Sequence, residues 1–200
     1  MVEWCKINRK ECLFYMKQLK MRRPSAPVKE LPLPAGYRYE LYSGTREEIE
    51  DWKNICKNGL IRDGEDGDYW FQETILKRAG LHPEEDLFFI VDDTDRRIAT
   101  TAAVKLEDGT GYVHMVASLP ETRGKGLGHA MIRHTLSMIE ARGVPYTHLT
   151  TDDYRLAAIK TYLDAGFLPV ICEDPESDMT ERWNKVLEDL HYPMVEYLSE

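Results

Sequence analysis

Between residues 118 and 134 the chain reads SLPETRGKGLGHAMIRH. Gly124, Gly126 and Gly128 alternate with Lys125 and Leu127, behind Arg123 and ahead of an apolar pattern of helical period. A helix N-terminus exposes backbone N–H groups and carries partial positive charge, so it favours an anion. Glycines let the backbone approach that anion and relax the limits on φ. Arg123 and Lys125 add charge. The spacing excludes the two commonest phosphate cradles. A Walker loop needs GxxxxGK followed by Ser or Thr, and here Lys125 precedes Gly126 with no hydroxyl residue after it. A dinucleotide turn needs GxGxxG directly after a strand, and here GxGxG follows an intervening LPET.

The elements around this turn follow from periodicity and punctuation. Residues 4–20 suit a helix with Cys5, Cys12, Met16 and Leu19 near one face. The proline-rich RRPSAPVKELPLPAG reads as a linker or a wrapping segment. A short strand is predicted at 37–43. Thr45 and Glu48 have capping-box spacing and open a helix with Ile49, Trp52, Ile55 and Cys56 inward. The acidic loop RDGEDGD (62–68) precedes a helix over about 69–79, ended by Gly80. Strands follow at 87–93, 97–107 and 111–118, joined by the turns DTDR and EDGT. Residues 127–142 make a helix stopped by Gly143 and Pro145. Then come a strand (147–152), a helix closed by Gly166, a strand at FLPVICE and a helix over 178–190. The crossover from 111–118 to 147–152 makes those two strands parallel neighbours.

Charge and cysteine usage narrow the class. The net charge is −9; residues 1–30 hold eight Lys/Arg and three Asp/Glu, hence +5, and the other 170 residues carry −14. A general nucleic-acid binder needs a broad basic face, which this distribution does not provide. No apolar run approaches a membrane span. Cys5, Cys12, Cys56 and Cys172 form no CxxC pair, which points away from a zinc site or disulfide framework and towards a reducing cytoplasm. Residues 1–35 read as a basic extension and 36–200 as one domain. Its acidic loop, with Asp63, Glu65, Asp66 and Asp68 beside Tyr69 and Trp70, fits either a solvated surface or a cation-attracting rim.

Arg123, Gly126 and Gly128 in RGKGLG match the acyl-CoA loop of the GNAT N-acetyltransferase superfamily: Arg or Gln, two residues, Gly, one residue, Gly or Ala. Pro120 and the strand residues before it stand where that family has its V-x-P lead-in, with Ser118 replacing an apolar residue. Downstream, AAIKTYLDAGF resembles the family's A-x-x-x-Y-x-x-x-G-F segment through Ala158, Tyr162, Gly166 and Phe167. Arg155 stands where the family often has Asn. The motifs cover roughly residues 110–168, and the element order extends the resemblance to about 37–172.

The resemblance implies a mixed, mostly antiparallel sheet flanked by helices, with central strands splayed around acyl-CoA. It implies acetyl-CoA as co-substrate, no metal, and a small-molecule or protein amine as acceptor, in a monomer or homodimer. The amides of Gly124, Lys125, Gly126, Leu127, Gly128 and His129, with Arg123, would hold the CoA pyrophosphate. The strand edge at Val116, Ala117 and Ser118 would pair with pantetheine. Tyr162 aligns with the tyrosine that protonates the departing thiolate in many members; a phenol titrates near 10, above a thiol. Many relatives place a Glu base at the position of Tyr112. His114, two residues on and so on the same strand face, is the candidate base here, with Glu107 and the Asp152/Asp153 pair as fallbacks. A longer acyl chain, a hydroxyl acceptor or a non-catalytic acyl-CoA sensor stays open.

Overall fold

The computed structural model describes residues 18–171 and 177–199. Most of the helix expected over 4–20, with Cys5 and Cys12, lies outside the described residues, as does Cys172. The chain divides into two compact units, one of Arg23–His148 and one of Met1–Arg22 with Leu149–Glu200.

In the Arg23–His148 unit, β2 (Arg38–Leu41), β3 (Leu87–Val91), β4 (Arg97–Lys105) and β5 (Gly111–Ser118) form consecutive antiparallel neighbours. β6 (Tyr146–Thr151) pairs parallel with β5 through Gly111↔Thr147 and Tyr112↔His148, as the crossover requires. β3 is buried at every residue and β4 from Ile98 to Val104, so both read as continuous apolar or small runs rather than alternating ones. α1 (Arg46–Cys56) starts with a complete capping box. Thr45 Oγ1 accepts from the Glu48 amide, and the Glu48 carboxylate accepts from the Thr45 amide at 2.9 Å and the Ser43 amide at 3.1 Å. Burial alone would raise the Glu48 pKa, but these hydrogen bonds outweigh it and hold the carboxyl below its usual range. Trp52, Ile55 and Cys56 are inward and Ile49 is half-buried. Burial pushes the Cys56 thiol up, leaving it a packing group.

The second expected helix is shorter and composite. α2 (Gly67–Phe71) is capped by Asp66 Oδ1, which accepts from the Asp68 and Tyr69 amides, and passes into a π-helical turn at Gln72–Leu76. A short α3 (Pro83–Asp86) follows, in four residues that periodicity cannot register. Its buried Asp86 accepts from the His82 amide at 2.7 Å and pairs with Arg142 at 2.6 Å.

α4 (Leu127–Glu140) lies against β4 and β5. Gly111 permits that approach: a Cβ there would stand 2.4 Å from Ile139 Cγ2 and 2.6 Å from Thr147 Oγ1. The proline-rich stretch wraps along α4 rather than dangling. Arg23 Nη1 pairs with Glu140 at 2.6 Å, Ser137 Oγ donates to Glu30 at 2.8 Å, and Arg133 Nη1 donates to the Lys29 carbonyl at 3.2 Å.

In the other unit, β1 (Leu19–Pro24) pairs antiparallel with β7 (Leu168–Ile171), which pairs parallel with β8 (Leu198–Ser199). β1 corrects the expectation of helix to residue 20 and linker after it. Leu19, Met21 and Arg23 are buried and alternate with Lys20 and Arg22, a strand pattern only five residues long. α5 (Leu156–Asp164) and α6 (Met179–Asp189) complete the unit, with α6 packed on β7 and Trp183 and Phe167 fully buried. Among the described residues, no helix is long and apolar enough to cross a membrane.

Candidate active site

β5 is not a regular strand. Its ladder to β4 runs Ala99↔Ser118, Thr100↔Ala117, then Ala102↔His114, so Met115 and Val116 together oppose Thr101. This β-bulge puts Met115 at φ +54°, a conformation non-glycine residues rarely take. Thr101 Oγ1 supports it by donating to the His114 carbonyl at 3.1 Å. After β5 the chain turns through a single 3₁₀ turn at Pro120–Thr122, held by Thr122 Oγ1 donating to the Leu119 carbonyl at 2.6 Å.

The glycine loop follows. Gly124 and Gly126 both sit at φ +76°, so their identity answers a backbone requirement. A Cβ at either would meet nothing within 4 Å, so the space beside them is open to a ligand. Gly126 is the N-cap of α4 and supplies no capping side chain. Arg123 to Gly126 and Gly128 are exposed, while Leu127 is buried and pins the helix start. Lys125 Nζ lies 6.0 Å from the Tyr37 ring centroid. Helix dipole, exposed amides and two basic side chains together suit a pyrophosphate.

On the opposite face of β5 from Gly111 lies a cluster of rings. Tyr112 and His114 share that face by alternation, and Tyr112 pairs directly with His148 across to β6. Tyr112 lies 5.3 Å from the His114 ring and 4.9 Å from the His148 ring. The Arg78 guanidinium covers Tyr112, 4.9 Å from its centroid. His114 is 7% exposed and its Nε2 is 2.9 Å from the Thr74 carbonyl in the π turn, so that nitrogen carries the hydrogen and donates. Burial, then the nearby Arg78 charge, push the His114 pKa down to about 4 despite that hydrogen bond. The ring is therefore neutral at neutral pH. A group this weak holds a proton from an amine poorly, so its geometry suits accepting a hydrogen bond at Nδ1 better than general-base work.

The fallback bases are occupied or remote in kind. Asp153 is clamped by Arg182, which holds its carboxyl below the usual range. Asp152 pairs with Arg155 at 2.9 Å, and Glu107 is exposed in a hairpin turn. The acidic loop is largely structural: Asp66 caps α2, Glu65 accepts from the Arg62 amide at 2.8 Å, and Asp68 pairs with Lys53 at 3.1 Å. Tyr162, on α5 in the other unit, is 6% exposed, with its ring 6.1 Å from Phe167. The Phe167 amide donates to the Tyr162 carbonyl at 3.0 Å, closing the helix that Gly166, at φ +92°, ends. Sequence reasoning missed Arg78 and His148. His148 was reachable from the phase of two parallel strands; Arg78 carried no local signal.

The family model for the acetyltransferase (GNAT) family matches residues 46–167, more than half of the chain. The chain belongs to the GNAT acetyltransferase family. It is 27% identical over 141 residues to a mycothiol acetyltransferase of Beutenbergia cavernae, covering 70% of this chain and 48% of that protein. It is 29% identical over 157 residues to a mycothiol acetyltransferase of Thermobispora bispora, covering 74% of this chain and 52% of that one. The chain thus spans about half the length of these curated relatives. Among solved structures, a GCN5-related N-acetyltransferase from Sphaerobacter thermophilus shares the fold, with a TM-score of 0.63 at 17% identity over 80% of this chain and 53% of that one.

Proposed function

We propose that this chain transfers an acetyl group from acetyl-CoA directly to a primary amine. The observation that carries this reading is the glycine-capped start of α4 directly after the bulged strand, in a chain of this family. Arg123, Lys125 and the amides of residues 124–129 hold the pyrophosphate. The edge of β5 at Val116, Ala117 and Ser118 pairs with the pantetheine arm as an added strand does. The shared name of the relatives supports acetyl as the group transferred.

The amine nitrogen attacks the thioester carbonyl, the C–N bond forms and the C–S bond breaks. The amine loses one proton to water, and the leaving thiolate gains one from the Tyr162 phenol, which solvent reprotonates. Products are the amide and the free CoA thiol. His114, with Nε2 committed to Thr74, orients the amine or its water through Nδ1 and stays neutral. Acetyl-CoA at millimolar concentration should raise the melting temperature, read by differential scanning fluorimetry; a flat response refutes donor binding.

A further inference from the structure

The Arg78 side chain makes no hydrogen bond or ion pair among the described residues. It stacks on Tyr112, and its charge reaches His114. By contrast, Lys53, Arg97 and Arg142 are each paired with a carboxylate, in a chain with 35 Asp/Glu and 26 Lys/Arg. Stacking on a half-buried tyrosine limits the orientations of the guanidinium and leaves its N–H groups free to donate. A guanidinium fork matches a carboxylate or phosphate in two parallel hydrogen bonds.

The surroundings keep that charge available. His114 is neutral, so no second cation competes for an anion beside it. Asp108, the acid near His148, is committed: its Oδ1 accepts from the Thr110 hydroxyl at 2.7 Å and the Thr110 amide at 2.9 Å. His114 Nδ1, with no protein partner among the described residues, is an acceptor suited to an N–H. The surroundings of Tyr112 therefore offer both an anion-binding fork, on Arg78, and an N–H acceptor, on His114. Along the strand this patch ends at His114, immediately before the bulge at Met115–Val116.

We infer that the acceptor is an amine that also bears an anionic group, a carboxylate or a phosphate, which Arg78 binds while His114 Nδ1 receives the amine. This rests on the acetyl-transfer reading above and names the substrate class of that site. Arg78 is a specificity-determining residue that touches substrate away from the reacting atoms.

The experiment measures steady-state kinetics of thiol release at saturating acetyl-CoA with matched pairs of amines: amino acids against their carboxamides, and glucosamine 6-phosphate against glucosamine. The two sets separate carboxylate from phosphate. In at least one pair the anionic member should show a kcat/KM about 10-fold or more above the neutral one. Arg78→Ala should erase that preference by raising KM about 10- to 100-fold for the anionic member, with kcat within about 3-fold and the neutral member unaffected. Arg78→Lys should restore part of it, since a point charge replaces the fork. The acetyl-CoA melting shift should be the same in all three proteins, which separates a binding role from a folding one. Preference for the neutral member in every pair, or equal losses on both members in Arg78→Ala, overturns the inference. If no amine yields thiol, the acetyl-transfer reading fails instead. Calorimetric titration of the same pairs then decides the Arg78 site: binding of an anionic member that Arg78→Ala weakens supports it, and no preference overturns it.

Discussion

The glycine loop before α4 and the ring patch on β5 and β6 flank the same bulged strand but are built in opposite ways. The loop is backbone: two residues at φ +76° and a helix start without a side-chain cap. The patch is side chain: Arg78, Tyr112, His114 and His148 come from separate segments and meet only when β5, β6 and the π turn have packed. A site made of amides depends on local sequence and tolerates variation in most of its side chains. A site made of side chains from distant segments varies freely from one chain to the next. On the proposed reading, that contrast separates a donor side written in backbone from an acceptor side written in side chains.

The largest expected effect breaks the loop alone. Gly126→Val forces a β-branched residue into φ +76°, a strain of about 1–3 kcal/mol that the loop relieves by changing shape. Acetyl-CoA affinity measured by calorimetry should fall ~100-fold, while the ring patch and the fold persist. A variant that binds normally would show that the amides at the start of α4 are not the donor cradle. Next, Tyr162→Phe tests whether donor binding and chemistry are separable. Its kcat should fall ~10- to 100-fold with the acetyl-CoA dissociation constant unchanged; an unaltered kcat removes Tyr162 as the acid.

The smallest effect belongs to the ring patch. The His114 pKa is depressed from 6.5 to about 4, so the folded state resists protonation that the unfolded chain accepts. Its contribution to stability is therefore fully present above about pH 6.5 and is lost as pH falls from there towards 4. Between pH 7 and pH 5 this amounts to about 2 kcal/mol. Urea titrations of wild type and His114→Gln at both pH values should show a smaller acid loss in the variant. Equal losses would mean that His114 is solvated and able to protonate, which would restore it as a candidate base.

How much of this was legible in the chain follows the same division. Gly124 and Gly126 announce positive φ by their identity alone, and Thr45 with Glu48 announces a helix start. The antiparallel β3–β4–β5 order was readable from short turns. β1 was not, because its partner β7 lies about 150 residues downstream and its alternation overlaps a helical pattern. Nor was the π turn, whose extra residue per turn has no sequence signature but presents the Thr74 carbonyl to His114. The bulge at Met115 was invisible too, since nothing in YVHMVAS separates a regular strand from one that carries an extra residue.

That extra residue sets a rule for inheritance. Because Met115 and Val116 oppose one residue of β4, the side-chain phase of β5 is reset between His114 and Ala117. Losing a single codon at 115 or 116 would restore an unbroken ladder, and the sheet would survive. The flanking pairs would keep their register, Ala117 against Thr100 and His114 against Ala102, while the left-handed residue at Met115 and the kink it makes would be lost. The shortest edit that spares the architecture is thus one that removes the bend between the ring patch and the glycine turn, so lineages of this chain should accept substitutions here far more readily than changes in length.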